Sequence, residues 1–289
     1  MAAAGLEIRP VDACFGAIVT DVDLRRIDDA TWQAVHEAWI EYALLIFPGQ
    51  FLSRHEQDAF ARRFGDLEFG AAPISNLDKD GNIHSDADDD RVKSIRGNEG
   101  WHHDSTYMPV QARGAVVTAE IVPSAGAATG FADMRAAYEA LDDETRAQLD
   151  GRTAKHSLYY SQGRSGYLPT PNADGGYDMY GYHDGPVPIR PLTNVHPDTG
   201  RVNLLAGRHA HDISGLDAEE SEAFLDRLNE DACHPSRCWF HQWEVGDAVV
   251  WDNRRLMHCA TPFDLTEPRR IWHTRIAGDP ATETALNYG

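Results

Sequence analysis

Lysine is almost missing from this chain. Lys79, Lys93 and Lys155 are the only three, and with the arginines they make 26 basic residues against 46 acidic ones, a formal net charge of −20. That deficit of positive charge excludes nucleic acid and an anionic membrane surface as partners, because both are held through basic patches. Cysteine is scarce as well. Cys14, Cys233, Cys238 and Cys259 lie far apart or out of CxxC spacing. Structural zinc is therefore not expected, and reduced thiols of a cytoplasmic protein are. Long apolar runs are absent too, and nothing approaches the roughly 20 residues of a membrane span. The stretch Met1–Glu7 lacks the basic start and apolar core of a secretory signal.

The 289 residues, 42% hydrophobic and 25% charged, suit a single domain over 1–289 with a sizeable core. No internal repeat and no linker breaks them. Residues 6–21 read as strand with a turn at Gly16. Residues 30–42 read as a helix capped by Asp28 or Asp29, and the apolar run Ala43–Phe47, stopped by Pro48-Gly49, reads as a buried strand. Ser53-x-x-Glu56 is a capping box opening a helix that closes at Gly65. Residues 116–122 form an apolar run. Residues 131–141, 142–149 and 217–231 read as helices, and 238–243, 248–251 and 270–276 as strands. The expected class is mainly β with α (α+β): a double-stranded β-helix, or jelly roll, with helices packed outside. Two segments, 70–100 and 158–187, are rich in Gly, Asn, Asp, Tyr and Pro and read as long loops, candidate lids over a site.

The chemistry starts at Trp101-His102-His103-Asp104-Ser105-Thr106-Tyr107. In a strand, His102 and Asp104 point to one face and His103 to the other. A third candidate ligand, His258, follows Trp251-Asp252-Asn253. Two histidines and one carboxylate leave metal positions open, as in non-haem Fe(II) oxygenases, although the same set also holds catalytic zinc. Arg269 comes eleven positions after His258. A guanidinium beside a metal suits a chelating dicarboxylate, with the metal on one end and the fork on the other.

On these residues the chain resembles the TauD/TfdA family, the Fe(II)- and 2-oxoglutarate-dependent dioxygenases of taurine and 2,4-dichlorophenoxyacetate. The likeness runs from about residue 6 to residue 280. It is most specific at Trp101–Tyr107, at Thr129-Gly130-Phe131-Ala132-Asp133-Met134 and from Trp251 to Arg269. The stretch Phe131–Tyr138 resembles the aryloxyacetate branch more than the taurine branch. The resemblance implies that His102, Asp104 and His258 bind Fe(II). It implies that Thr129 and Arg269 bind the far carboxylate of 2-oxoglutarate, and that Asn98 and Tyr107 lie beside the substrate. Where the family usually has a second arginine, four residues after Arg269, this chain has His273, with Arg275 two further on. Both are candidates for substrate contact, and a histidine there makes a weaker anion or a neutral polar group plausible as substrate.

The implied reaction is hydroxylation of an unactivated C–H in a small anionic or polar substrate. O2 is consumed, and 2-oxoglutarate becomes succinate and CO2. The family also implies a homo-oligomer, dimer or tetramer. Two rival readings stand beside this one: a zinc hydrolase on the same three residues, and a non-catalytic β-sandwich binding protein.

Overall fold

The strand Ala248–Asp252 is buried on both faces, and its side chains sort the core into two halves. Ala248 and Val250 point into one apolar cluster, Val249 and Trp251 into another. Such a strand reads as a continuous apolar run because neither face meets water. In the computed structural model, which describes residues 5–177 and 179–289, it is the middle of a seven-stranded sheet. The order across that sheet is Glu7–Pro10, Ala17–Thr20, Leu44–Phe47, Ala248–Asp252, Gly114–Ile121, Arg270–Ile276 and Leu67–Ser75. Neighbours are antiparallel except Ala17–Thr20 against Leu44–Phe47.

One face of this sheet carries the helices Asp29–Tyr42 and Arg54–Ala61. Trp39, Phe60 and Phe64 interlock edge to face there, with ring centroids 5.0 and 5.4 Å apart. The other face meets a three-stranded antiparallel sheet of Cys238–His241, Thr129–Asp133 and Leu256–Ala260. Phe131 and Leu256 from the small sheet join Val117, Val249 and Ile271 from the large one. A third cluster lies beneath the helices Met134–Ala140 and Ala218–Ala232. The chain is thus a mixed α/β protein built on antiparallel sheets that face each other. No helix among the described residues is long and apolar enough to cross a membrane, and all four cysteines are free.

Local signals placed several elements. Asp28 caps the first long helix, and Ser53 and Glu56 form both halves of the capping box. Other expectations need correction. Within residues 6–21 the expected turn at Gly16 is present, at φ +88°, but strand is confined to Glu7–Pro10 and Ala17–Thr20. Residues 129–133 are strand, and the helix begins only at Met134, with Asp133 accepting from its first N–H groups. The segment 70–100 is not one loop. It contains the end of the Leu67–Ser75 strand and the helix Asp90–Gly97, whose cap is Asp89. Likewise 158–187 begins with the helix Leu158–Ser165, closed by Gly166 in the left-handed region. Trp101–Tyr107 is not a strand either. His102 alone pairs, in an isolated bridge to His258, and the chain then turns through Ser105 at φ +57°.

Candidate active site

That isolated bridge brings the two imidazoles together. His102 N donates to His258 O and His258 N to His102 O, both at 2.9 Å, and the ring centroids stand 4.2 Å apart. The turn after His102 then brings Asp104 back beneath them. His102 Nδ1 donates to Gly100 O at 2.7 Å, which leaves Nε2 with its lone pair directed at the site. Ligand atoms of His102, Asp104 and His258 all lie within 4.8 Å of one another, and no other such group of three is present among the described residues. His103 turns away and bonds Asn253 O at 2.7 Å.

Electrostatics suits a cation at this point. Burial pushes the His102 imidazole down to about 4 and His258 well below its ordinary value, so both are neutral at neutral pH. Burial alone would raise the Asp104 carboxyl, but the Arg275 guanidinium and the imidazoles of His258 and His273 hold it well below the carboxylate range. Arg275 Nη2 donates to Asp104 Oδ1 at 2.7 Å, whereas buried Oδ2 has no hydrogen-bond donor. The nearest imidazoles, His273 and His258, stand 3.4 and 3.8 Å from that oxygen. An orphaned carboxylate oxygen between neutral imidazole nitrogens fits a metal ion.

A chamber beside this group is lined by Thr129, Trp243, Phe263 and Arg269. Arg269 is 3% exposed, and among the described residues no carboxylate lies within ion-pair distance of it. Its guanidinium carbon lies 5.6 Å from the centroid of the Phe263 ring. A buried guanidinium without an acid calls for an anionic ligand. Thr129 Oγ1 accepts from Trp243 Nε1 at 3.0 Å, so the threonine's own hydrogen is left to donate. A second chamber, about 240 Å3, shares Ile74, Asn98, His273 and Arg275 with the first. Tyr107 lines the second chamber with Phe69, Tyr167, Tyr180 and Tyr182.

All nine residues singled out in the sequence therefore border one continuous site. Others went unseen. Trp243 reaches Thr129 from two residues beyond the partner strand Cys238–His241. Asn253 clamps the Asp104 backbone, accepting from Asp104 N at 2.8 Å and donating to Asp104 O at 3.0 Å and Ala112 O at 2.9 Å. Glu68 and Tyr180 arrive from segments far away in the chain. No local pattern marks any of these roles.

Two histidines, a carboxylate and a neighbouring unpaired guanidinium, set between facing sheets, form a donor set suited to a metal ion and a dicarboxylate. Comparison with known proteins agrees. The family described as taurine catabolism dioxygenase TauD, TfdA family, matches residues 7–277, and the chain belongs to that family. It is 58% identical over 283 residues to an (S)-phenoxypropionate/alpha-ketoglutarate-dioxygenase of Sphingobium herbicidovorans, covering 98% of each chain. The protein of the same description from Delftia acidovorans is 53% identical over 287 residues, covering 97% of this chain and 98% of its own. Among solved structures, AAD-2 in complex with Mn(II) and N-oxalylglycine superposes with a TM-score of 0.87 at 34% identity, over 97% of this chain and 98% of that one. The chain is thus a 2-oxoglutarate-dependent dioxygenase, an oxidoreductase that works with Fe(II), 2-oxoglutarate and O2 on a small molecule. The hydrolase and non-catalytic readings find no support.

Proposed function

We propose that this enzyme hydroxylates the C–H beside the ether oxygen of a small aryloxyalkanoate. The observation that carries the reading is the second chamber, in which Phe69, Tyr107, Tyr167, Tyr180 and Tyr182 offer ring faces and edges next to the triad. Relatives described as phenoxypropionate dioxygenases support it. In this reading His102, Asp104 and His258 hold the iron. Thr129 and Arg269 hold the far carboxylate of 2-oxoglutarate, and Asn98, Tyr107, His273 and Arg275 border the substrate. Bound Fe(II), with 2-oxoglutarate and O2, supplies the oxidising chemistry and releases succinate and CO2.

The chain's share is placement. Neutral His102 and His258 keep lone pairs available. The Arg269 fork and the Thr129 hydroxyl, turned by Trp243, meet one carboxylate from two sides. Arg275 is already paired with Asp104, and burial keeps His273 neutral. The substrate's charged end therefore finds no free guanidinium at those positions, and ring contacts dominate. Once the carbon bearing the aryl ether is hydroxylated, its C–O bond breaks. The new hydroxyl becomes a carbonyl and its proton passes to the departing phenolate.

The facing sheets fit a double-stranded β-helix within one dioxygenase domain, 1–289. Segments 70–100 and 158–187 flank the second chamber and close over substrate, excluding water from the oxidation. Family likeness supports a cytoplasmic dimer or tetramer, which light scattering tests. The substrate reading is tested by succinate release from Fe(II), 2-oxoglutarate and O2. Phenoxypropionate should stimulate it strongly and taurine weakly; equal or greater stimulation by taurine would sink the reading.

A further inference from the structure

Arg275 is the middle of a chain of contacts that begins at Asp104 and ends on the loop between the Leu158–Ser165 helix and the Ile189–Pro191 strand. Its Nη2 donates to Asp104 Oδ1 at 2.7 Å and its Nη1 to Ser105 Oγ at 3.0 Å. Ser105 Oγ in turn donates to Glu68 Oε2 at 2.9 Å and stands 3.0 Å from Tyr180 OH. Tyr180 OH donates to Glu68 Oε1. The guanidinium is also held between two rings, 4.9 Å from the Phe69 centroid and 5.3 Å from that of Tyr180. Phe69 and Tyr180 meet edge to face at 5.1 Å. Both terminal nitrogens of the Arg275 fork are therefore held, while Nε has no partner, and Tyr180 bears on the group twice: its ring packs on the guanidinium, and its OH meets the Ser105 Oγ that accepts from Nη1.

The loop reaches this position through a glycine. Gly181 has φ +93°, and a Cβ there would lie 2.6 Å from the Tyr107 ring and 2.6 Å from Leu158. Only glycine lets the loop sit this close with Tyr180 turned inward. Ser105, on the other side, adopts φ +57°, a conformation that costs a non-glycine residue free energy and persists only where surroundings impose it.

We propose that Arg275 is a positioning residue for Asp104 and that Tyr180 seats it, so that docking of the second loop sets the orientation of the carboxylate in the metal site. Arg275 ties down one oxygen of Asp104 and leaves the other free for the ion. Loss of Tyr180 frees the guanidinium to swing, and the carboxylate with it. Partners that orient metal ligands in this way are worth about 10- to 100-fold in metal affinity. The proposal rests on His102, Asp104 and His258 being the metal ligands.

The test uses Mn(II) as probe, titrated without oxygen into the whole protein, with free Mn(II) read by electron paramagnetic resonance. Binding by the native chain that His102→Ala abolishes establishes the metal site; its absence would defeat the metal reading and this inference with it. Given binding, Arg275→Gln should weaken it about 10- to 100-fold. Tyr180→Phe should weaken it about 3- to 10-fold, the worth of one hydrogen bond. Gly181→Ala removes no polar group but lifts the loop, and should weaken Mn(II) binding at least as much as Tyr180→Phe. In the Arg275→Gln background, Tyr180→Phe should cost nothing further. Unchanged or tighter binding in Tyr180→Phe and Gly181→Ala overturns the inference, and so does a full additional loss in the double variant. The two loop variants keep the test decisive even if Arg275→Gln does not fold.

Discussion

Arg269 is the residue where burial and charge conflict most. Burial pushes its guanidinium down to about 10, which still leaves it charged at neutral pH, and it has no acid to meet. Arg275, six positions on, is also buried, but its terminal nitrogens are taken by Asp104 and Ser105 and its face by two rings. The two arginines therefore differ in what they can still bind. Replacing Arg269 with Ala removes charge-assisted hydrogen bonds worth about 1.5–3 kcal/mol, so the dissociation constant for 2-oxoglutarate should rise roughly 10- to 150-fold. Metal affinity measured alone should stay as it is. Anaerobic titration of the Fe(II) protein, followed by its visible charge-transfer absorption, reads the first quantity, and an unchanged constant would remove Arg269 from the cosubstrate site. Lysine at 269 should recover only part of the loss, because it restores the charge without the fork. Trp243→Phe keeps an aromatic side chain, smaller than indole, and deletes the N–H. Thr129 then loses its orienting donor, and 2-oxoglutarate should bind about 2- to 10-fold more weakly, with metal affinity unmoved.

At the scale of an element, the turn Asp252–Arg255 does more than connect two strands. Its Asn253 holds the backbone of Asp104 by both edges of one amide and also ties Ala112. Asp252 is paired with buried His196 at 2.9 Å and with Arg254, so the turn is rigid from below. Asn253→Ala leaves three buried backbone groups unpaired, and each costs about 1–3 kcal/mol. Denaturant unfolding should show a loss of at least about 2 kcal/mol, and Mn(II) should bind more weakly; a loss under 0.5 kcal/mol would show that other groups carry the turn. The sequence made Trp251-Asp252-Asn253…His258 conspicuous without showing this clamp. Legible features were local ones. Asp28 and the Ser53/Glu56 box mark helix starts through bonds made within one turn, and two-face burial of Ala248–Asp252 is visible as an unbroken apolar run. Phe131–Asp133 has the helical spacing of the stretch that runs on to Leu141, yet it is strand, because its state is set by partners more than 100 residues away, Cys238–His241 and Leu256–Ala260. Alternation brought His102 and Asp104 together for the wrong local reason. The real one is a single bridge to His258 followed by a left-handed turn, which no periodicity encodes.

At the scale of the whole molecule, two effects of acidification oppose each other. The net charge of −20 falls toward zero as pH approaches the isoelectric point near 5.0, which relieves repulsion and favours the folded state. Against this stand histidines buried in neutral form. His156 is fully buried with neither ring nitrogen bonded, and burial pushes it well below its ordinary value of 6.5. Burial does the same to His209, with nearby His102 and Arg208 adding to it. In both, the unfolded chain takes up a proton as pH falls through 6.5 and the folded chain does not. Stability is therefore fully present above that value and falls with pH below it, by about 1.4 kcal/mol per pH unit for each group. His84 has the opposite sign, because hydrogen bonding to Asp89, then Asp78, raises it, but it is a single group near the surface. Charge repulsion is spread over the surface and screened beyond about 8 Å at 0.15 M ionic strength. Two deeply buried imidazoles should win. The metal-free protein in 150 mM salt should melt at a lower temperature at pH 5 than at pH 7, although pH 5 is near its isoelectric point. His156→Leu should flatten that slope, since leucine gives the unfolded chain no proton to take up at this position. A melting temperature that peaks near pH 5, or a slope unchanged in His156→Leu, would show that surface charge governs the acid response of this fold.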